Sequence, residues 1–322
     1  MIGLVRLIKL NLIFLHLLSR RPTRLVHKGN DGQHHSEETM VTQRIAHPIP
    51  YQGSKRKLAR TILDFVRPQV RVFYEPFAGS AALTLAAASQ NKASHFALSD
   101  SLQPLTEIWA DIVDRPHDLA QSYSTLWHEQ QSDPKAYYDE IRRSFNDHGG
   151  SSRLLFLLAR CVKNAVRFNA AGEFNQSADH RRLGTRPDRM TKNILGAHRL
   201  LAGRCSITHA DFSSQLKQAT GDDLVYLDPP YQGTSGERDR RYYQLLDRDR
   251  FVDELGQLRQ RSVPFIVSYD GRCGDRSYGD ELPQELGLKH IELEAGRSSQ
   301  STLSGRHERT IESLYLSPEL TR

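Results

Sequence analysis

The apolar run Leu224-Val225-Tyr226-Leu227 stops at Asp228-Pro229-Pro230-Tyr231, and this stop constrains the chain more than any other stretch. Each proline lacks an N–H and fixes its own φ, so two in succession cannot continue a sheet ladder. A buried strand must end here, with an acid and an aromatic ring at its carboxyl edge. Open α/β sheets bind their ligands at that edge.

From residue 70 onward, short β-branched and aromatic runs alternate with helical patterns, which predicts βαβ units on a mostly parallel sheet. Seven strands are expected, at 70–74, 94–99, 206–209, 224–227, 264–269, 289–293 and 310–316. Helical periodicity covers 80–90, 101–114, 116–130, 134–146, 151–166, 190–203 and 247–260. The second and third strands are separated by about 100 residues, too many for a simple crossover, so a mostly helical insertion forming a second domain is expected there.

The net charge is +6, and its placement says more than its size. Residues 160–204 hold ten Lys or Arg against three acids, so this one segment carries more than the whole net charge. Such a concentration is the footprint of a phosphate-backbone contact, with a solvated basic face as the competing reading. The three cysteines, Cys161, Cys205 and Cys273, lack metal-ligand spacing. No metal site and no disulfide framework are expected, which suits a reducing, cytoplasmic setting.

Residues 2–18 are apolar but interrupted by Arg6, Lys9, Asn11 and His16, short of what a membrane span requires, so no membrane association is expected. Residues 1–39 are read as an N-terminal extension, disordered or a start-site artefact, ahead of Met40. His34 and His35 within it lack the spacing of a helical metal pair.

The loop Glu75-Pro76-Phe77-Ala78-Gly79-Ser80 follows the first strand and precedes an alanine-rich helix, a turn that lets a small ligand approach the backbone. It matches neither G-x-G-x-x-G nor G-x-x-x-x-G-K-[ST], so neither NAD nor ATP is indicated. The second strand ends at Asp100, about 20 residues past the loop, where an acid can bond ribose hydroxyls; a helix cap is the alternative. Asp211-Phe212 ends the third strand and could meet an adenine edge and face, again with capping as the competing role. Three acids at strand ends beside one glycine loop favour a crevice for adenosine.

The pairing of Glu75-Pro76-Phe77-Ala78-Gly79 with Asp228-Pro229-Pro230-Tyr231 resembles the DNA adenine-N6 methyltransferases of the Dam-like alpha group. Pro50-Tyr51-Gln52-Gly53-Ser54-Lys55 looks like that family's N-terminal cofactor motif. The blocks Asn164-Ala165-Val166-Arg167-Phe168-Asn169 and Gly172-Glu173-Phe174-Asn175 look like its recognition hairpin, and 264–270 resembles the strand after the catalytic one. The resemblance spans 48–318.

It implies an α/β Rossmann-like methyltransferase fold: a seven-stranded mixed sheet with helices on both faces, plus a mostly helical target-recognition insertion with a β-hairpin. Residues 40–114 and 205–322 would form the catalytic domain and 115–204 the DNA-binding insertion. The cofactor would be S-adenosylmethionine, leaving as S-adenosylhomocysteine, with no metal. Tyr51, Lys55, Glu75, Pro76, Phe77, Ala78, Gly79, Ser80, Asp100, Asp211, Phe212 and Asp228 would line its site. Asp228, Pro229, Pro230 and Tyr231 would be catalytic: the carboxylate and the Pro229 carbonyl accept the two N6 hydrogens, and Tyr231 stacks on the extruded adenine.

The partner implied is double-stranded DNA, with a cognate restriction endonuclease as a further one. Asn164, Arg167 and Asn169 belong to the recognition segment, where Arg can address guanine and Asn adenine. Arg181, Arg182, Arg186 and Arg189 would contact phosphates, which position without specifying. No cysteine follows a proline, so attack at cytosine C5 is not expected, and by the family pattern Asp228, rather than Ser or Asn, selects adenine. The loop carries Ala81 where the family has a second glycine, which narrows the space beside the cofactor. Competing functions are a catalytically silent DNA-binding homologue, or an RNA or protein methyltransferase with the same acid-Pro-Pro-Tyr turn.

Overall fold

The computed structural model describes residues 45–230, 246–273, 276–277, 280–297 and 309–321. The extension 1–39 and Tyr231 lie outside the described residues. Residues 44–322 form one compact unit.

Its frame is a mixed sheet of β1 (Val70–Glu75), β2 (Ala93–Asp100), β3 (Cys205–His209), β4 (Leu224–Leu227), β5 (Phe265–Cys273), β6 (Arg276–Ser277), β7 (Lys289–Arg297) and β8 (Arg309–Leu316). The order is β3-β2-β1-β4-β5-β8-β7, with β6 paired only to β5. β1 to β5 run parallel, whereas β8 is antiparallel to β5 and to β7. All seven expected strands are present, and among the described residues the two-residue β6 is an addition.

Around the sheet lie α1 (Ala59–Leu63), α2 (Ala82–Ser89), α3 (Gln103–Asp114), α4 (Pro116–Glu129), α5 (Pro134–His148), α6 (Ser151–Arg160), α7 (Pro187–Leu201), α8 (Phe212–Leu216) and α9 (Arg248–Gln260). The side-chain period of two divides the central strands between two cores. Phe73, Phe96, Leu98, Leu224, Tyr226 and Ile266 pack with α1 to α7 on one face. Tyr74, Ala97, Val225, Leu227, Phe265 and Val267 pack with α8 and α9 on the other. β4 is buried along its whole length, as a central parallel strand covered on both faces must be.

The insertion helices bury Leu119, Tyr123, Tyr138, Phe145, Met190 and Ile194 in the first of these cores. One helix is shorter than its periodicity suggested. Rather than running to 166, α6 ends at Arg160, where Cys161 is extended and Lys163 and Asn164 take positive φ; residues 162–166 instead feed a hairpin. α7 starts at Pro187, before the expected 190, because proline suits the first helical position.

β1 and β4 are neighbours, yet the chain goes from β1 outward through β2 and β3 before returning to β4. That reversal is the topological switch point, and the loops after β1 and β4 flank it.

Candidate active site

Glu75 ends β1 as a buried carboxyl, and its Oε2 accepts the Thr84 N–H at 2.9 Å in the first turn of α2. Burial pushes its pKa up to about 8, with the Thr84 hydrogen bonds opposing and the charge of Asp228 reinforcing the rise. At neutral pH Glu75 is therefore mostly protonated.

The loop beyond it is tied on all sides. Ala78 N–H donates to the Ser99 carbonyl at 2.9 Å, Gly79 N–H to Asp100 Oδ2 at 3.1 Å, and Trp109 Nε1 to the Gly79 carbonyl at 3.0 Å. Gly79 has φ +46°, and a Cβ there would lie 3.3 Å from the Tyr51 ring. The Ser80 hydroxyl donates to the Ser54 hydroxyl at 2.7 Å. The segment Tyr51 to Lys55 and the loop Glu75 to Ser80, distant in sequence, thus share one crevice.

Ala81 adopts φ +44°, ψ +42° and is fully buried. The left-handed conformation explains why a glycine suits this position: the constraint is on the backbone as well as on the space beside it.

Asp100 closes β2 with its second oxygen on the Leu102 N–H at 3.0 Å, and burial raises its pKa despite these bonds. Asp211 caps α8 through Ser213 N–H at 3.0 Å, and both its oxygens are also bonded by the Arg250 guanidinium. Burial alone would raise the Asp211 pKa, but bonds from Arg250 and Ser213 outweigh it and leave it lowered. Phe212 is buried, stacked 5.2 Å from Phe77 with the Arg250 guanidinium 5.0 Å from its ring centre. Half-buried Phe77 is the more accessible of the two rings.

At the end of β4, Asp228 stands half-buried between buried Leu227 and buried Pro229, and Pro230 is half-buried. Lys55 Nζ donates to Asp228 Oδ1 at 2.8 Å and lies 3.7 Å from Glu312 Oε2 of β8. The switch point therefore gathers a neutral acid, an ionic triad and a glycine turn. Among the described residues, no three His, Cys, Asp or Glu side chains are placed to hold a metal ion.

Between α6 and α7 the insertion forms a hairpin. Antiparallel bridges join Cys161 to Ala178 and Phe168 to Phe174, and Asn169 closes the turn by accepting the Ala171 and Glu173 N–H groups at 3.0 and 2.9 Å. Asn164 is committed inward: its Nδ2 donates to the Leu158 carbonyl at 2.7 Å, and its carbonyl accepts the Gln52 N–H at 2.9 Å. Arg167 is half-buried on the first arm.

Arg181, Arg182, Arg186 and Arg189 are exposed. Arg181 and Arg182 share Asp179 at 3.0 and 3.1 Å, which holds that carboxyl at about 2. Arg186 lies 3.7 Å from Asp188. Two cations of the basic segment face elsewhere. Arg160 is buried, donating to the Asp179, Arg182 and Pro134 carbonyls, and Arg204 binds the Leu200 and Ala88 carbonyls.

Glu312, Trp109, Arg250 and Arg160 were not singled out from sequence. An acid inside the apolar strand Thr310–Leu316 was the available signal for Glu312, whereas nothing local marked the other three.

The model of the family described as D12 class N6 adenine-specific DNA methyltransferase matches residues 51–298. A DNA N-6-adenine-methyltransferase of Escherichia phage P1 is 26% identical over 77% of this chain, which spans only 32% of that protein. The Type II methyltransferase M1.LlaDCHI of Lactococcus lactis subsp. cremoris is 23% identical over 82% of this chain and 94% of its own length. The Type II methyltransferase M.FokI of Planomicrobium okeanokoites is 23% identical, across 84% of this chain and 43% of its own.

Proposed function

Because the chain belongs to the D12 class of N6 adenine-specific DNA methyltransferases, we propose that it methylates the exocyclic N6 of an adenine turned out of duplex DNA, using S-adenosylmethionine. The observation that carries this reading is the meeting of the Glu75 to Ser80 turn with Asp228 at one switch point, beside Asp100 on the adjacent strand. Gly79 presents bare backbone next to the Tyr51 ring, and neighbouring strand ends supply carboxyl groups. That cradle suits a nucleoside bearing a sulfonium.

When bound, S-adenosylmethionine supplies a methyl group whose bond to sulfur breaks, its electrons staying on sulfur, as the N6 lone pair forms the new bond. Asp228 and the Pro229 carbonyl accept the two N6 hydrogens, which favours a pyramidal nitrogen with its lone pair aimed at that methyl. Asp228 then takes the proton released from N6 and passes it to solvent. The barrier falls through positioning and through acceptors aimed at charge developing on nitrogen. Tyr231 would stack on the extruded base.

Residues 115–204 act as the recognition insertion. Arg167 and Asn169 of its hairpin are the base-reading candidates, and Arg181, Arg182, Arg186 and Arg189 the phosphate contacts. Asn164 supports the hairpin base through its bond to Leu158. Relatives named as Type II methyltransferases motivate a paired restriction endonuclease as the biological setting.

Transfer of labelled methyl groups from S-adenosylmethionine to unmethylated duplex DNA, followed by long-read sequencing, tests the proposal. N6-methyladenine at one recurring sequence is expected. A folded protein that binds no S-adenosylmethionine, or that labels RNA or protein instead, would overturn it.

A further inference from the structure

The ion pair between Lys55 and Asp228 weakens the acceptor role just given to Asp228. An N6–H must donate to this carboxylate, yet Oδ1 already holds an ammonium at 2.8 Å. A cation on the carboxylate draws off the negative charge that the amine needs. The Lys55 side chain is only 7% exposed, so moving it away without a second acceptor would leave a buried ammonium unpaired, at severe cost.

Glu312 stands where that second acceptor is needed. Its Oε2 is 3.7 Å from Lys55 Nζ and its side chain is 17% exposed. The longer of two ion pairs on one ammonium becomes a hydrogen bond after a shift of about 1 Å. The Gly53 carbonyl, 3.5 Å away, accompanies the ammonium as a neutral acceptor.

The backbone brings Glu312 there by a specific device. The β5–β8 register shifts between Ser268 and Gly271, and Gly271 then pairs with Glu312. Gly271 has φ +143°, and a Cβ on it would lie 2.7 Å from the Ile311 carbonyl, so β8 can approach this closely only over a glycine.

The geometry points to Glu312 as a positioning residue. Lys55 holds the place of the target amine on Asp228 in the DNA-free enzyme and passes to Glu312 when the adenine enters. No proton changes hands: one ammonium moves between two carboxylates, and the net charge of the three groups is unchanged. The inference rests on the methyltransferase reading above.

The test is single-turnover transfer to unmethylated plasmid DNA by wild type, Glu312→Gln, Lys55→Met and the double variant, with S-adenosylmethionine affinity measured alongside. Glu312→Gln should slow transfer about tenfold at unchanged cofactor affinity, because the displaced ammonium then meets a neutral amide in place of a carboxylate. In the Lys55→Met background the same change should alter the rate less than about twofold, since no ammonium needs moving. Wild-type rates in Glu312→Gln, or an equal loss in both backgrounds, would overturn the inference; the latter would mark Glu312 as merely structural.

Should Lys55→Met be too slow to time, affinity for a duplex carrying the methylated site, with S-adenosylhomocysteine bound, gives the same comparison. Weakening by Glu312→Gln only when Lys55 is present is expected, and equal weakening with or without it refutes the idea. If wild type transfers nothing to DNA, the methyltransferase reading fails first and this inference falls with it. Wild-type transfer that is indifferent to Glu312 sinks this inference alone.

Discussion

Glu75 Oε2 accepts the Thr84 N–H at 2.9 Å, so the last residue of the first strand supplies the cap that the next helix lacks. Ala81, at the N-cap position of α2, makes no side-chain bond, and the orphaned amide is met from across the turn instead. The carboxyl doing this is buried and its pKa is raised to about 8.

That raised value fixes the sign of a pH effect. The folded state binds a proton that the unfolded chain loses near 4.5, so this contribution to stability is full below 4.5 and falls as pH rises through about 8. Glu75→Gln keeps an acceptor for Thr84 without an ionisable group. Urea denaturation from pH 5 to 9 should show a shallower fall for the variant, and parallel curves would refute the assignment.

Asp228→Ala should lower the rate of methyl transfer by roughly 10³-fold, the scale of losing a preorganised acceptor. S-adenosylmethionine affinity should change little, and the fold should persist because Lys55 retains Glu312. Calorimetry with the cofactor beside a transfer assay separates the two effects; near wild-type turnover would remove Asp228 from its role.

The Arg181 side chain is 79% exposed while it pairs with Asp179. Replacing both Arg181 and Arg182 with Glu should weaken binding to all duplexes alike and flatten the salt dependence, by about 0.9 in log–log slope for each phosphate no longer neutralised. Binding titrations across salt concentration check this, and an unchanged slope would show that these arginines face away from DNA.

Arg160 works beneath that surface. With Tyr123 bonded to the Thr185 carbonyl at 2.6 Å and Gln130 to the Leu183 carbonyl at 3.2 Å, it pins the loop that displays Arg181 and Arg182. Arg160→Met should cost about 3 kcal/mol of stability, because three carbonyls lose their buried donor. A loss below about 1 kcal/mol by denaturant midpoint would mean that water replaces those bonds.

Ala81→Gly removes left-handed strain of roughly 1–2 kcal/mol but also a buried methyl and some chain stiffness, of about the same total size. Stability should therefore stay within about 1 kcal/mol of wild type, with cofactor affinity nearly unchanged. A tenfold gain in affinity would show instead that the methyl crowds the crevice.

Much of this was legible in the chain because it depends on local pattern. Short β-branched and aromatic runs between helical patterns marked the seven strands, and paired prolines marked the end of β4. The glycine loop and the acids at 75, 100 and 228 fell at strand ends because a parallel sheet places every carboxyl end on one edge. Residues 151–166 misled because the apolar run 154–159 carries no mark of where its helix stops, and the stop is made by the positive φ of Lys163 and Asn164. The charge count over 160–204 also overstated the surface, since counting cannot tell Arg160, spent on buried carbonyls, from exposed Arg181.

Sequence alone determined the seven long strands, the stop of β4 and the chemical groups at the switch-point edge, since composition and chain-breaking act over a few residues, whereas β5 and β7 run on to Cys273 and Arg297. Only the tertiary structure decided how those groups pair. Lys55 meets Asp228 across 173 residues of chain, and Glu312 reaches Lys55 through the register of β8 over Gly271. Such pairings follow from strand order and from backbone approach at a bulge, which no local window of residues contains.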